Sequence, residues 1–174
     1  MGTLNFLGSV GYLKNNPCNI RYSENVIWEG EDGSVLGYSI FKNMMYGYKA
    51  AIELVNIYIK KGYSTLEDIT SRWSSVFEND RKAYVSRFCN LWNSTLGQIS
   101  KQQVTPDTDM SSSELNLCDF VFLLSVIEMG VPSFQILTNE DGRLHLKFYD
   151  GDDYYNKILN SLYESAFRAL KRVQ

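Results

Sequence analysis

The stretch S-S-S-E-L-N-L-C-D-F-V-F-L-L-S-V-I-E-M-G, residues 111–130, decides how the rest of the chain is read. Ser111 followed three residues later by Glu114 has the spacing of a capping box, which predicts a helix running to about Met129. That helix is apolar almost all round. A helix with no polar face has to be surrounded by other elements, so this one is expected to be central and buried. Gly130 and Pro132 stop it. Its one late charge, Glu128, is therefore held at the edge of an apolar interior.

Working outward, Asn43 reads as an N-cap for a helix over about 44–60, with Met44, Tyr48, Ala51, Leu54, Val55 and Tyr58 at helical spacing and Gly62 beyond its end. Ser64-Thr-Leu-Glu67 reads as another capping box, starting a short helix to about Trp73. Residues 74–79 read as a loop. Asn79 or Asp80 caps a helix to about Trp92, with Tyr84, Val85, Phe88 and Leu91 on one face. Residues 100–112 are polar, contain Pro106, and read as a surface loop. Phe134–Leu137 and Leu144–Phe148 flank N-E-D-G and predict a β-hairpin. Tyr154–Val173 is amphipathic, with Ile158, Leu162, Ala166 and Leu170 inward. Residues 1–42 read as irregular structure, with strand character in G-Y-S-I-F at 37–41. The expectation is five or six helices and a small hairpin, a mainly α (α+β) domain.

At 174 residues, with 44% hydrophobic and 21% charged residues, the composition is that of an ordinary globular domain. A net charge of −3 argues against nucleic acid as the main partner. The N-terminal M-G-T-L-N-F-L-G-S-V-G lacks the basic start and unbroken apolar run of a signal peptide. No stretch approaches the roughly 20 apolar residues of a membrane span. Cytoplasmic synthesis is the expectation. Cys18, Cys89 and Cys118 are odd in number and widely spaced, so they read as reduced and partly buried. His145 is the sole histidine, and neither CxxC nor HExxH spacing occurs, so no zinc site is expected. No phosphate loop is formed by Gly30, Gly33 and Gly37, which leaves a nucleotide-using transferase or kinase without a motif. A Cys18–His145 nucleophilic pair is improbable, because His145 lies in a strand of the tail.

Three blocks are distinctive: N-N-P-C-N-I-R-Y-S at 15–23 with W-E-G at 28–30, G-Y-S-I-F-K-N-M-M-Y-G-Y-K-A-A at 37–51, and S-T-L-E-D-I-T-S-R-W at 64–73 with F-E-N-D at 77–80 and Tyr84. With I-E-M-G at 127–130, their order resembles a family of phage virion-associated proteins and bacterial relatives. In that family the pattern runs N-N-P-G-N-I-R, W-x-G, F-x-x-F, Y-G-x-R-A, N-T-I-x-x-I-I-x-R-W-A-P, E-N-x-T-x-x-Y and E-x-G. The likeness covers about residues 12–130. Cys18, Lys49, Ser74-Ser75 and Arg81 depart from it, which bears on whether activity is kept. The first block is also similar to the N-L-F-G-I-K…W-x-G…F-R-x-Y stretch of flagellar and autolytic glucosaminidases, in which a glutamate-bearing helix comes before that stretch. Here the helix ending in Glu128 comes after it, as if the order were circularly permuted. The resemblance implies a lysozyme-like domain over 1–130; residues 131–174 lie outside it, and their hairpin and helix are expected to pack on the same domain. It implies action on peptidoglycan glycan strands as a muramidase or lytic transglycosylase, without metal or organic cofactor, and other virion proteins as partners. The alternative is a non-catalytic virion or tail protein that keeps the fold and binds glycan.

Glycoside cleavage needs a carboxylic acid that stays protonated near neutral pH, and an apolar pocket provides one by raising a glutamate's pKa. Glu128 has that setting and is the candidate general acid; its other reading is a helix-end residue facing solvent. Glu78, at a helix start, suits an ionised base or charge-stabilising carboxylate; its other reading is a cap or loop pin. Trp73 and Tyr84 lie near Glu78 in sequence and are candidate substrate contacts. Trp28 and Tyr38 offer flat faces for sugar rings, although most aromatics belong to the core. Asn19 and Arg21 either hydrogen-bond a glycan or hold their own loop. Glu24, Glu29, Glu31 and Asp32 read as a solvated acidic rim.

Overall fold

The computed structural model describes residues 5–74, 77–112, 115–138 and 141–173, with the side chains of Glu78 and Asn79 left aside. Among these residues the chain forms seven α-helices and two separate two-stranded antiparallel sheets, a mainly α architecture with a minor β part. After a single 3-10 turn come α1 (Val10–Leu13), β1 (Glu31–Val35), β2 (Tyr38–Phe41), α2 (Met44–Lys60), α3 (Leu66–Trp73), α4 (Glu78–Ser94), α5 (Leu96–Ser100), α6 (Leu117–Met129), β3 (Phe134–Thr138), β4 (Leu144–Phe148) and α7 (Asp153–Val173).

The apolar run is the centre of the fold. Ten of the thirteen residues of α6 are buried. It packs against α1, α2, α4 and α7, which together cover every side of it. Ring contacts fix these neighbours: Phe120 meets Phe88 of α4 at 4.8 Å between centroids, and Phe122 meets Tyr163 of α7 edge-on at 5.2 Å. The few polar groups at these seams are paired, as burial requires. Tyr48 of α2 shares a 2.8 Å hydrogen bond with Ser125, and the Tyr163 hydroxyl donates to Asp119 at 2.6 Å. Gly130 closes α6 in the left-handed conformation, with its N–H on the Ile127 carbonyl.

Several boundaries differ from the sequence expectation. Asn116, not Ser111, caps α6, its side chain accepting from the Cys118 and Asp119 N–H groups; Ser113 and Glu114 lie outside the described residues. The other capping box is real but one residue later, Thr65 with Asp68 in place of Ser64 with Glu67. Phe77 rather than Asn79 or Asp80 precedes α4, with no side-chain cap, so Glu78 is the first residue inside that helix. The 100–112 segment is tied down rather than loose: Trp92 Nε1 donates to the Gln102 carbonyl at 2.9 Å, and the Met110 N–H donates to Ser64 at 2.7 Å. Val104 and Met110 are buried beneath it.

The N-terminal 42 residues hold more structure than their composition suggests. They contain α1 and the β1–β2 hairpin, whose register slips between Glu31 and Ser34. Ahead of the hairpin, the N-N-P-C-N turn is wedged between α1 and α2. Asn15 and Asn19 both take positive φ, 56° and 52°, the region that asparagine tolerates best among residues with a side chain. Asn16 is fully buried and is the hub of the turn: its amide donates to the carbonyls of Ile20 and Ser39, both at 2.9 Å, and its oxygen accepts from the Ile20 N–H at 2.8 Å. Gly47 lets α2 approach this turn, since a Cβ there would stand 2.2 Å from the Asn15 carbonyl oxygen and 2.6 Å from Pro17. The Y-G-x-K-A and N-N-P blocks are thus two sides of one contact.

The C-terminal hairpin and helix pack on the same core. Helix α7 lies along α2 and α6. Asn160 both accepts from and donates to the backbone of Leu146, and Asn156 accepts from the Phe148 N–H, which fastens β4 to α7.

Candidate functional site

Glu128 sits one residue before the end of α6, where the helix leaves the interior, and its side chain is half-buried. Burial pushes its carboxyl up to about 7, against an ordinary 4.5. Hydrogen bonding by Tyr84 and Asn19, and the charges of Arg21 and Arg87, act in the opposite direction and are outweighed. The Tyr84 hydroxyl, from α4, donates to Glu128 Oε2 at 3.2 Å. Burial and the neighbouring Glu128 raise the Tyr84 pKa as well, so the phenol stays a donor. The Asn19 amide donates to the Glu128 backbone carbonyl at 3.3 Å. Three sequence-distant blocks therefore meet at one carboxyl: the N-N-P-C-N-I-R turn, α4 and the end of α6.

Asn19 also opens onto a cleft of about 220 Å³. Arg21, Trp28, Trp73, Tyr58 and Arg72 line it further on. Trp73 is held by its indole N–H, which donates to the Cys18 carbonyl at 2.9 Å, so α3 is hung from the same turn. Trp28 forms a wall rather than an open platform, being only 8% exposed. Tyr38 is half-buried and does not line the cleft but contacts it through Arg21: its ring carries the Arg21 guanidinium 5.5 Å from the centroid, and the two residues pair as an isolated β-bridge. The cleft is small beside the roughly 300–1,000 Å³ of pockets that envelop drug-sized ligands.

Of the residues singled out in the sequence, Asn19, Arg21, Trp28 and Trp73 line this cleft; Tyr84, Tyr38 and Glu128 do not, and Glu128, bonded by Tyr84, is joined to it through the Asn19 amide on its backbone carbonyl. Glu78 opens α4, six residues ahead of Tyr84, and its side chain lies outside the described residues. Sequence reasoning missed Arg72 and Arg87 altogether and took Tyr58 for core. The R-W pair at 72–73 was the available signal for the first. In the acidic rim Glu24, Glu29 and Asp32 are exposed as expected, but two of its members also make specific contacts. Glu29 is an ion-pair centre joining Lys49 of α2 at 3.0 Å and Arg172 of α7 at 3.0 Å, and Glu31 accepts from the Ser39 hydroxyl at 2.7 Å.

The departures from the family pattern are also accommodated structurally. Lys49 pairs with both Glu29 and Glu53. Cys18 is fully buried, its thiol directed to the Val121 carbonyl at 3.3 Å, and burial holds its pKa well above the ordinary thiol value; such a thiol is inert as a nucleophile. His145 is exposed on β4. The Ser74 hydroxyl donates to Ser71, Arg81 is exposed, and Ser75 lies outside the described residues. All three cysteines are free and buried. Among the described residues no three His, Cys, Asp or Glu side chains group as metal ligands, and no helix is long and apolar enough to cross a membrane.

No protein-family profile matches the chain. Over 85 residues it is 32% identical to Protein P5 of Pseudoalteromonas phage PM2, an alignment that takes in 46% of this chain and 53% of P5. The chain therefore spans about half the length of the curated relative it matches, and its likeness is to a phage protein.

Proposed function

We propose that this chain is a phage-associated enzyme of lysozyme-like fold that cleaves the glycan strands of peptidoglycan, with Glu128 as general acid. The observation that carries the reading is a half-buried glutamate, pushed up to about 7 and hydrogen-bonded by Tyr84, at the edge of an aromatic-lined cleft. Glycosidic oxygen is a poor leaving group unless it is protonated as the bond breaks. With Tyr84 donating to Oε2, the other carboxyl oxygen is left to hold the proton that is transferred. The C–O bond then breaks with its electron pair going to the protonated oxygen, and positive charge develops at the anomeric carbon. Either water or a hydroxyl of the same sugar completes the reaction at that carbon, and its proton returns Glu128 to the acid form. In the water-using route, Glu78 is assigned the second carboxylate, stabilising charge or activating the water. The likeness to a phage protein supports carriage in a virion, beside other virion proteins.

The purified protein is expected to release soluble muropeptides from sacculi at pH 5–7 in the presence of a chelator. Sacculus binding without release would instead favour a non-catalytic virion protein that retains glycan affinity.

A further inference from the structure

The chain is acidic, with a net charge of −3, yet the cleft beside Glu128 is lined by two arginines and no acid. Arg21 and Arg72 are both exposed, and no carboxylate among the described residues lies within ion-pair distance of either. Elsewhere, Lys49, Arg168 and Arg172 each pair with a glutamate. Instead of a counter-ion, each cleft arginine has an aromatic support. Arg72 lies 3.3 Å from the Tyr63 ring centroid and 5.8 Å from that of Tyr58, and Arg21 lies 5.5 Å from that of Tyr38. Stacking limits the motion of a planar guanidinium while leaving its edge N–H groups free for a bidentate acceptor. One Arg72 nitrogen, Nη1, is spent on the Asp68 carbonyl at 3.0 Å, and the rest of the fork remains.

We propose that this cleft takes a carboxylate-bearing saccharide, with Arg21 and Arg72 as the residues that recognise its acidic groups. The proposal rests on the glycan-cleaving reading given above and adds what selects the strand: stretches whose muramic carboxyls are free rather than amide-linked to peptide. A planar carboxylate matches the arginine fork and gains charge-assisted hydrogen bonds that a neutral sugar cannot make. Trp73 and Trp28 line the same cleft and supply apolar surface beside the two cations. There is a consequence for the acid. The positive charge of Arg21 lowers the Glu128 pKa in the free protein. A ligand carboxylate that neutralises Arg21 therefore helps Glu128 keep its proton.

The test is a titration of the protein with the disaccharide of N-acetylglucosamine and N-acetylmuramic acid, in parallel with its methyl ester, followed by NMR shifts of the Trp28 and Trp73 indoles at low salt. The free acid is expected to bind on the order of tenfold more tightly than the ester, the increment of about one charge-assisted hydrogen bond. Arg21→Gln and Arg72→Gln should each erase most of that difference. Arg72→Lys, which keeps the charge and loses the fork, should restore part of it. Unchanged melting temperatures would show that these exposed positions act on binding and not on folding. Equal affinity for acid and ester would overturn the proposal and leave the glycan reading standing. Absence of indole shifts with both compounds would overturn this proposal and the glycan reading together, since no saccharide would then occupy the cleft.

Discussion

Glu128→Gln is expected to abolish muropeptide release, by on the order of 100- to 10,000-fold, while leaving the protein folded. The range is that of general acid–base catalysis by a positioned side chain. Glutamine has nearly the size of glutamic acid and still accepts the Tyr84 hydrogen bond, but it carries no transferable proton. The same chemistry sets a pH dependence. The carboxyl is pushed up to about 7, so the protonated fraction, and with it wild-type release, should fall as pH rises through about 7. Digestion of sacculi by wild type and variant, with soluble products measured by mass spectrometry, checks both points. A Glu128→Gln protein that retains most of its activity would remove Glu128 from the reaction and leave Glu78 as the acid.

The same substitution is expected to stabilise the fold at alkaline pH. Glu128 binds its proton more tightly in the folded chain, at about 7, than an exposed glutamate does at 4.5. Between those values the folded state holds more protons than the unfolded one, so stability declines as pH rises from about 4.5 to about 7 and is level above. At about 1.4 kcal/mol per pH unit the interval sets an upper bound of about 3 kcal/mol. Water reaches the half-buried carboxyl, so a realistic value is about 1–3 kcal/mol. Glutamine is neutral throughout and escapes this loss. Urea unfolding at pH 8 should therefore show Glu128→Gln more stable than wild type by about that amount, with the gap closing at pH 4.5. Equal stabilities at pH 8 would mean that Glu128 ionises in place without penalty. A gain of stability on removing an acid is also the behaviour expected of a group held in place for function.

The helices were legible wherever the deciding signals were local. Asn43 and the period of 44–60 located α2, and the apolar run with Gly130 located the centre and end of α6, because caps and side-chain period act within a few residues. Where two local signals competed, the reading slipped. Ser64 with Glu67 and Thr65 with Asp68 are both capping-box spacings, and the fold uses the second. The strand character of 37–41 was legible and became β2, but its partner β1 was hidden because the turn between them is Leu36-Gly37, with φ of 51° and 82°; a leucine at positive φ carries no turn signature. Glu128 could be found from sequence since its apolar neighbours are its own helix. Its partners could not be derived that way. Tyr84 and Asn19 are 44 and 109 residues away, and Glu29 meets Arg172 across 143 residues. Such contacts depend on how helices pack, which periodicity does not encode. The ordered family blocks named Asn19 and Tyr84 without saying what they touch.

The most direct measurement is an NMR titration of the Glu128 side-chain carboxyl, assigned by its disappearance in Glu128→Gln. Burial, which outweighs the hydrogen bonds and positive charges around the carboxyl, predicts a midpoint near 7. A midpoint near 4.5 would mean a solvated, ionised side chain at neutral pH, and would contradict its role as the acid.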